Sequence, residues 1–364
     1  MPFSDFHGNA DVVQSLRTML ARGHFPHAVI LSGPAGAGKF TLAQMLARTM
    51  NCLERPVTDG LPDFCGHCAN CVRIAEADAL EDRFAEAVEA RESMRDADKR
   101  ETRIFVQTHP DVLIIPPDPP QMLVKVDQVR HVIHEIYFKP LDGRERVYLF
   151  SDAQFMKEAA NALLKILEEP PEFATIFLLT DNPSALLPTV RSRCMSVRLA
   201  PLAPAEVEQY LAQVRPEWTP RDRVLVARLC GGALGRARSF DLPAYLAARQ
   251  DALTLLASAA GANDHSELFR VTDSYRSGAE GKARTQQLIR TLYSLLEDLL
   301  FLKSGTPESV RNTDLQVELA KMASNIDFDW LTSAARELHE VESGLRRNLL
   351  RSLSLDAFAA ALER

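Results

Sequence analysis

Residues 33–40 read Gly-Pro-Ala-Gly-Ala-Gly-Lys-Phe. This stretch follows the phosphate-binding loop pattern G-x-x-x-x-G-K-[ST], in which backbone N–H groups surround the phosphates and the lysine reaches them. The hydroxyl that binds Mg²⁺ at the last position is missing, because Phe40 stands there. Thr41 comes one residue later, and one step along a helix rotates a side chain by about 100°, so Thr41 is not expected to replace it. The candidate nucleotide-binding residues of this loop are Gly33, Gly36, Gly38, Lys39, Phe40 and Thr41.

The flanking sequence supports this interpretation of the loop. An apolar run precedes it, and apolar residues at helical spacing follow it, which predicts the order strand, loop, helix. Further apolar runs alternate with helical patterns, which indicates a parallel sheet with helices on both faces. The predicted strands are Val29–Leu31, Val112–Ile115, Val147–Phe150, Ile176–Leu179 and Met195–Leu199. We therefore predict an α/β fold for the first part of the chain.

The residues expected to hold a metal for ATP hydrolysis are also altered. A hydrolysing site needs an acidic pair after a later strand, to hold Mg²⁺ and polarise water. After Val147–Phe150 the chain has Ser151 and Asp152, so a serine stands where the metal-binding aspartate is expected. Together with Phe40, this predicts that the chain alone does not hydrolyse ATP. Whether the loop binds ATP stays open from the sequence.

Four of the six cysteines lie close together, at Cys52, Cys65, Cys68 and Cys71. Zinc prefers four thiolate or imidazole ligands in a tetrahedron, and a C-x-x-C step places two thiolates on one turn. We predict a structural Zn²⁺ bound by these four residues. An iron–sulfur cluster is the alternative, but the trailing Cys-Pro of bacterial ferredoxins is absent. His67 is a possible competing ligand.

Composition indicates a globular protein that does not bind nucleic acid strongly by itself. The net charge is −7, whereas such binders carry a basic surplus or a basic patch. The sequence has no run of 18 or more apolar residues and begins without a signal-peptide pattern, so we expect a cytoplasmic protein without membrane contacts.

Pattern changes divide the chain into three predicted parts. Residues 1–200 form the α/β module, with the cysteine cluster at 52–71 and an inserted, solvated helical arm at about 72–104. Residues 201–243 form a small helical domain. Residues 244–364 form an all-helical domain, with a strong apolar stripe from Leu288 to Leu299.

Several motifs in order resemble those of bacterial clamp-loader subunits of the AAA+ family. They are the cysteine cluster, Thr108–Asp111, Asn161–Pro171, Phe177–Thr180 and Arg191–Cys194, and the resemblance covers roughly residues 5–240. Phe40 and Ser151 depart from the intact motifs of the gamma/tau motor subunits, and the stretch from Leu179 to Cys194 looks most like delta-prime subunits of the DNA polymerase III clamp loader. The arm at about 72–104 departs from the family's usual short link.

The resemblance implies an AAA+ module with a zinc knuckle, a helical lid at 201–243 and a collar at 244–364 that joins subunits. Arg193 matches the arginine that delta-prime offers in trans to a neighbour's ATP, although spacing alone would suggest a surface charge. Thr180 and Arg236 match the sensor-1 and sensor-2 positions. The implied partners are gamma/tau and delta subunits and, through the assembly, the sliding clamp and primed DNA.

Two other functions remain under consideration. One is an active gamma/tau-type ATPase, which Phe40 and Ser151 count against. The other is a zinc-dependent nucleic-acid binder, which the acidic net charge counts against.

Overall fold

The computed structural model describes residues 2–260, 266–275, 279–346 and 350–362. The chain divides into two compact units, Met1–Leu202 with Ala233–Arg236, and Ala203–Gly232 with Ala237–Arg364. The predicted collar at 244–364 includes some positions that lie outside these described ranges. None of the described helices combines the length and the apolar character needed to cross a bilayer.

The first unit is built on a sheet with helices on both faces. Its elements are α1 (Ala10–Ala21), β1 (Ala28–Ser32), α2 (Lys39–Asn51), β2 (Val57–Thr58), β3 (Leu61–Pro62), α3 (Ala69–Ala75), α4 (Leu80–Glu92), α5 (Asp96–Glu101), β4 (Val106–His109), β5 (Val112–Ile115), α6 (Val126–Glu135), β6 (Arg146–Phe150), α7 (Lys157–Glu168), β7 (Ala174–Thr180), α8 (Pro188–Arg191) and β8 (Met195–Arg198).

Among the described residues, six strands form the main sheet in the order β4-β5-β6-β7-β1-β8. All neighbouring pairs are parallel except β4 and β5. The predicted α/β fold with a parallel sheet is confirmed, and β4 is an antiparallel edge strand that the sequence does not predict. Its four residues contain a single aliphatic one, Val106, so they lack the apolar run that marks the other strands.

Strands β1, β5, β6 and β7 are buried on both faces, which explains their nearly continuous hydrophobic character. Val29 and Leu31 of β1 pack on the side of α2, whereas Ala28 and Ile30 pack on the side of α6 and α7. Successive side chains of a strand point to opposite faces, so β1, β5, β6 and β7 each contribute to both cores. The sheet thereby holds the ends of β1, β6 and β7 in fixed register.

The segment predicted as a solvated arm is more closely attached than expected. It contains most of α3 and all of α4 and α5. Arg91 of α4 is buried and forms an ion pair with Asp118, which is fully buried. Arg103 bridges the end of the segment to Asp127 of α6 at 2.8 Å. Most other residues of α4 and α5 are exposed or half-buried, so these two contacts are exceptions that a charge-rich sequence pattern does not identify.

The second unit is helical throughout its described residues. The remaining helices of the chain are α9 (Pro204–Val214), α10 (Pro220–Leu229), α11 (Leu234–Arg238), α12 (Leu242–Ala259), α13 (Ser266–Asp273), α14 (Ala279–Lys303), α15 (Gln316–Asn325), α16 (Phe328–Arg346) and α17 (Arg351–Leu362). The predicted stripe from Leu288 to Leu299 lies on α14 and is buried in this unit's core. A long helix with one apolar face is stabilised mainly by burying that face.

Candidate functional site

The phosphate-loop sequence connects the end of β1 to the first residue of α2. Gly36 and Gly38 have φ angles of 80° and 87°, in the left-handed region that favours glycine. A Cβ on Gly36 would also lie 2.8 Å from the backbone nitrogen of Arg236. The N–H of Gly235 donates to the Gly36 carbonyl at 2.8 Å. The backbone at 235–236 therefore rests on the tip of the loop.

The lysine of the loop is fully engaged by groups of the chain itself. Lys39 Nζ donates to the carbonyls of Gly33 and Pro34 at 2.7 and 2.9 Å. It also forms an ion pair of 2.7 Å with Asp181, which follows β7. The Lys39 side chain is 10% exposed, and that of Asp181 is 62% exposed. The Asp181 carboxylate is thus paired with the Lys39 ammonium group, which is the cation expected to contact nucleotide phosphates.

The positions that would bind Mg²⁺ carry no suitable pair of groups. The Phe40 ring packs against the core beside α2, and Thr41 is exposed. Ser151 follows β6 directly, as predicted, and Asp152 comes next. Burial raises the pKa of the Asp152 carboxyl, and the charge of Asp181 raises it further, against the opposing effects of Gln154 and Lys39. This site carries acidic groups, but Phe40 leaves it without the phosphate-loop hydroxyl that would bind Mg²⁺.

Thr180 lies beside the loop at the end of β7. Its carbonyl accepts from the N–H of Gly33 at 3.3 Å, and its Oγ1 accepts from the N–H of Asn182 at 3.1 Å. The structure therefore brings the predicted residues Gly33, Gly36, Lys39 and Thr180 together with the backbone of Arg236.

Arg193 lies in the turn between α8 and β8 and makes different contacts. Its Nη2 pairs with Glu168 at 2.7 Å, and its Nη1 donates to the Thr189 carbonyl at 2.9 Å. The side chain is 35% exposed. Its Nη1 also donates to the Ser192 hydroxyl at 3.4 Å, and because a guanidinium has five N–H donors, these three contacts still leave others for a ligand. Arg191, two residues earlier, is exposed.

The four clustered cysteines converge in space. Their Sγ atoms all lie within 4.8 Å of one another, and those of Cys65 and Cys71 are 3.9 Å apart. A tetrahedron with metal–sulfur bonds of about 2.3 Å has edges of about 3.8 Å. Backbone N–H groups point at two of the sulfurs, from Cys65 to Cys52 at 3.3 Å and from Cys68 to Cys65 at 3.2 Å. The four thiols fit a metal ion.

The four thiols and their surroundings change one another's ionisation. Burial and the neighbouring thiols raise the pKa of Cys71. Burial also opposes ionisation of Cys68, but N–H groups of Cys71 and Leu53 outweigh it and lower its pKa to about 7. Four thiolates so close together need a cation, which a bound metal supplies. His67 is exposed and pairs with Glu54 at 3.3 Å; both lie within 4.8 Å of the Cys65 sulfur but do not belong to the group of four sulfurs.

A buried polar network links this cluster to the sheet. Asp111, 2% exposed, accepts from the N–H groups of Leu141, Asp142 and Gly143 at 2.7, 2.8 and 2.6 Å. Arg144 continues the turn and donates to the Cys52 carbonyl at 2.8 Å. In the sequence, Asp111 stands out only as part of the Thr108–Asp111 motif. The signal in the sequence that could have indicated a role for Asp111 is this short polar motif directly before a strand.

Comparison with known proteins identifies relatives along the chain. The family model described as "DNA polymerase III, delta subunit" matches residues 8–203. DNA polymerase III subunit tau/gamma of Haemophilus influenzae is 25% identical over 344 residues, covering 93% of this chain and 40% of the relative. Subunit delta' of Pseudomonas aeruginosa is 31% identical over 214 residues, covering 58% of this chain and 55% of the relative.

A further delta' relative extends over nearly the whole chain. Subunit delta' of Bacillus subtilis is 23% identical over 339 residues, which cover 93% of this chain and 91% of the relative. By contrast, the chain spans about two fifths of the length of the tau/gamma relative. Relatives named for both kinds of subunit therefore match, and the residues of the site must distinguish between them.

Proposed function

Since this chain belongs to the DNA polymerase III delta subunit family, we propose that it is a clamp-loader subunit of the delta-prime type. In this proposal the chain does not hydrolyse ATP itself, and it helps to load the sliding clamp onto primed DNA as part of an assembly. It supplies an arginine to the ATP site of a neighbouring subunit. The observation that carries the proposal is the partly exposed Arg193 in a chain whose own metal-binding positions are altered.

The absence of hydrolysis follows from the metal side of the loop. Phosphoryl transfer depends on Mg²⁺ to bridge the phosphates and neutralise developing charge. Phe40 contributes an apolar ring packed in the core, and Ser151 replaces a carboxylate. Lys39 and the loop amides can still contact phosphates, because that contact needs no metal. Binding and turnover are therefore separable in this site.

The role of Arg193 rests on its chemistry and its surroundings. A guanidinium is planar, always charged and able to bind phosphate oxygens in a bidentate manner. Glu168 and Thr189 fix its position from two different elements, α7 and α8. Its contacts in the described part of the chain do not include the phosphate loop. An arginine held in this way is suited to act on a nucleotide bound by another subunit.

Zn²⁺ is the metal that we propose for the four cysteines. Zn²⁺ takes four thiolates in tetrahedral geometry, and such sites are structural because no position is left for substrate. The proposed ligands Cys52, Cys65, Cys68 and Cys71 match that requirement in number and spacing. Bound zinc would hold α3 against the end of α2, where Cys71 and Cys52 lie.

The remaining parts of the proposal concern assembly. We assign residues 201–243 as a lid and 244–364 as a collar that joins this subunit to gamma/tau and delta subunits. Thr180 and Arg236 are assigned to the nucleotide side of the chain's own loop. The arginine finger would then act at the boundary with one neighbour.

The alternative is an active ATPase of the gamma/tau type, which the tau/gamma relative keeps under consideration. The test is steady-state ATP turnover by the purified full chain, with Lys39→Ala as the control variant. We expect no turnover above background in either protein. Turnover by the unaltered chain that Lys39→Ala abolishes would contradict the proposal and favour the motor subunit.

A further inference from the structure

We propose that Asp181 keeps the phosphate loop closed by acting as the internal counter-ion of Lys39, so that a nucleoside di- or triphosphate must displace this carboxylate to bind. The proposal assigns a specific role to a residue that the function above does not use. It rests on the phosphate-loop part of that function and is independent of Arg193.

The contacts of Lys39 are the first support. Three oxygen atoms, from Gly33, Pro34 and Asp181, lie 2.7 to 2.9 Å from its Nζ. An ammonium group has three hydrogen-bond donors, so all of them are used. A phosphate oxygen can reach Lys39 only if one of these contacts breaks. The Asp181 contact is the one that a phosphate can replace, because a phosphate oxygen is also an anionic hydrogen-bond acceptor.

The charge around the loop is the second support. Asp181 and Asp152 lie close enough for the charge of Asp181 to disfavour ionisation of Asp152. In a hydrolysing site a bound Mg²⁺ screens such acids from the phosphates. Phe40 and Ser151 remove groups that would hold the ion here. The two carboxylates therefore repel a polyphosphate without a bound Mg²⁺ to offset them.

The packing of the loop is the third support. The Gly235 N–H donates to the Gly36 carbonyl, and the Arg236 backbone closes over Gly36. The Phe6 ring lies against Gly38, where a Cβ would be 3.0 Å from it. The loop is therefore braced by contacts within the chain. Removing the Asp181 charge would free the Lys39 ammonium group while these contacts continue to hold the backbone of the loop.

The test is a titration of the purified full chain with a fluorescent N-methylanthraniloyl-ADP in EDTA. We expect Asp181→Asn to bind about three- to tenfold more tightly than the unaltered chain, because both the competing, partly exposed ion pair and one repulsive charge are lost. Asp152→Asn is the matched control, since it removes the same charge without a contact to Lys39, and it should gain less. The double variant Lys39→Ala/Asp181→Asn should lose the gain.

Two results would overturn the inference. One is equal affinity of the unaltered chain and Asp181→Asn, with circular dichroism confirming that both are folded. The other is an equal gain in Asp152→Asn, which would mean that charge alone matters and the Lys39 contact does not. ATP hydrolysis by Asp181→Asn would instead contradict the proposed function, while the gain in affinity would still support the role of Asp181.

Discussion

Asp111→Asn removes the charge from a buried carboxylate and almost nothing from its volume. The native carboxylate accepts one N–H on Oδ1, from Leu141, and two on Oδ2, from Asp142 and Gly143. An asparagine can present a carbonyl oxygen to only one of these two positions, because its other terminal atom is a donor. Its favoured orientation keeps the two contacts on the Oδ2 side and places the NH₂ group against the Leu141 N–H.

The expected cost follows from these three contacts. Hydrogen bonds to a charged group contribute about 1.5–3 kcal/mol each, against about 1 kcal/mol for a neutral pair. One charged bond is lost and two become neutral. The turn at 141–143 is close to solvent, so water can satisfy part of what is lost. We therefore expect local destabilisation of about 3 kcal/mol, or roughly a hundredfold faster opening.

Hydrogen exchange measured by mass spectrometry reads this opening directly, in peptides that cover residues 136–146. Asp142→Asn is the matched control, because Asp142 is 44% exposed and its carboxylate pairs with Arg73 at the surface. We expect the control to change exchange by less than about fivefold, as an exposed ion pair contributes about 0–1 kcal/mol. Equal exchange in Asp111→Asn and the unaltered chain would refute the role given to Asp111.

Three further predictions concern other sites. Cys68→Ser should lower bound zinc well below one ion per chain by elemental analysis, because three thiolates remain; full occupancy would contradict the four-cysteine site. Burial lowers the pKa of His109, so the unfolded chain takes up a proton that the folded chain does not. The free energy of unfolding should therefore fall as the pH drops below about 6.5, by at most about 1.4 kcal/mol per pH unit. His109→Gln should flatten that urea-denaturation profile, and His24→Gln should leave it unchanged. Gly36→Ala should lower the melting temperature more than Gly60→Ala, because both have positive φ but only Gly36 lies against another backbone; equal losses would count against the packing described.

The elements around the phosphate loop could be predicted because local sequence determines them. The apolar runs of β1, β6 and β7 are buried on both faces and carry a strong signal. The cysteine cluster could be predicted for a similar reason, since thiols at C-x-x-C spacing have few other uses in one short segment. In both cases the signal lies within about twenty residues.

Contacts between distant parts of the chain could not be predicted. Lys39 and Asp181 are 142 positions apart, and sequence spacing does not show that an exposed aspartate pairs with the loop lysine. The same holds for Arg91 with Asp118, which attaches a charged segment to the module. Charged residues are usually solvated, so a pattern rich in charge favours an exposed interpretation until the partner is known.

The most direct test of the proposed function is clamp loading by a reconstituted assembly that carries Arg193→Ala in this chain. We expect the variant to assemble normally and to lose most ATP-dependent loading of the clamp onto primed DNA, since a trans arginine contributes about 10³–10⁵-fold in well-studied GTPases. Arg193→Lys should not restore loading, because an ammonium lacks the planar bidentate contact. Arg191→Ala, which alters the exposed neighbour, should load normally. Normal loading by a correctly assembled Arg193→Ala complex would contradict the proposal that this arginine completes a neighbouring ATP site.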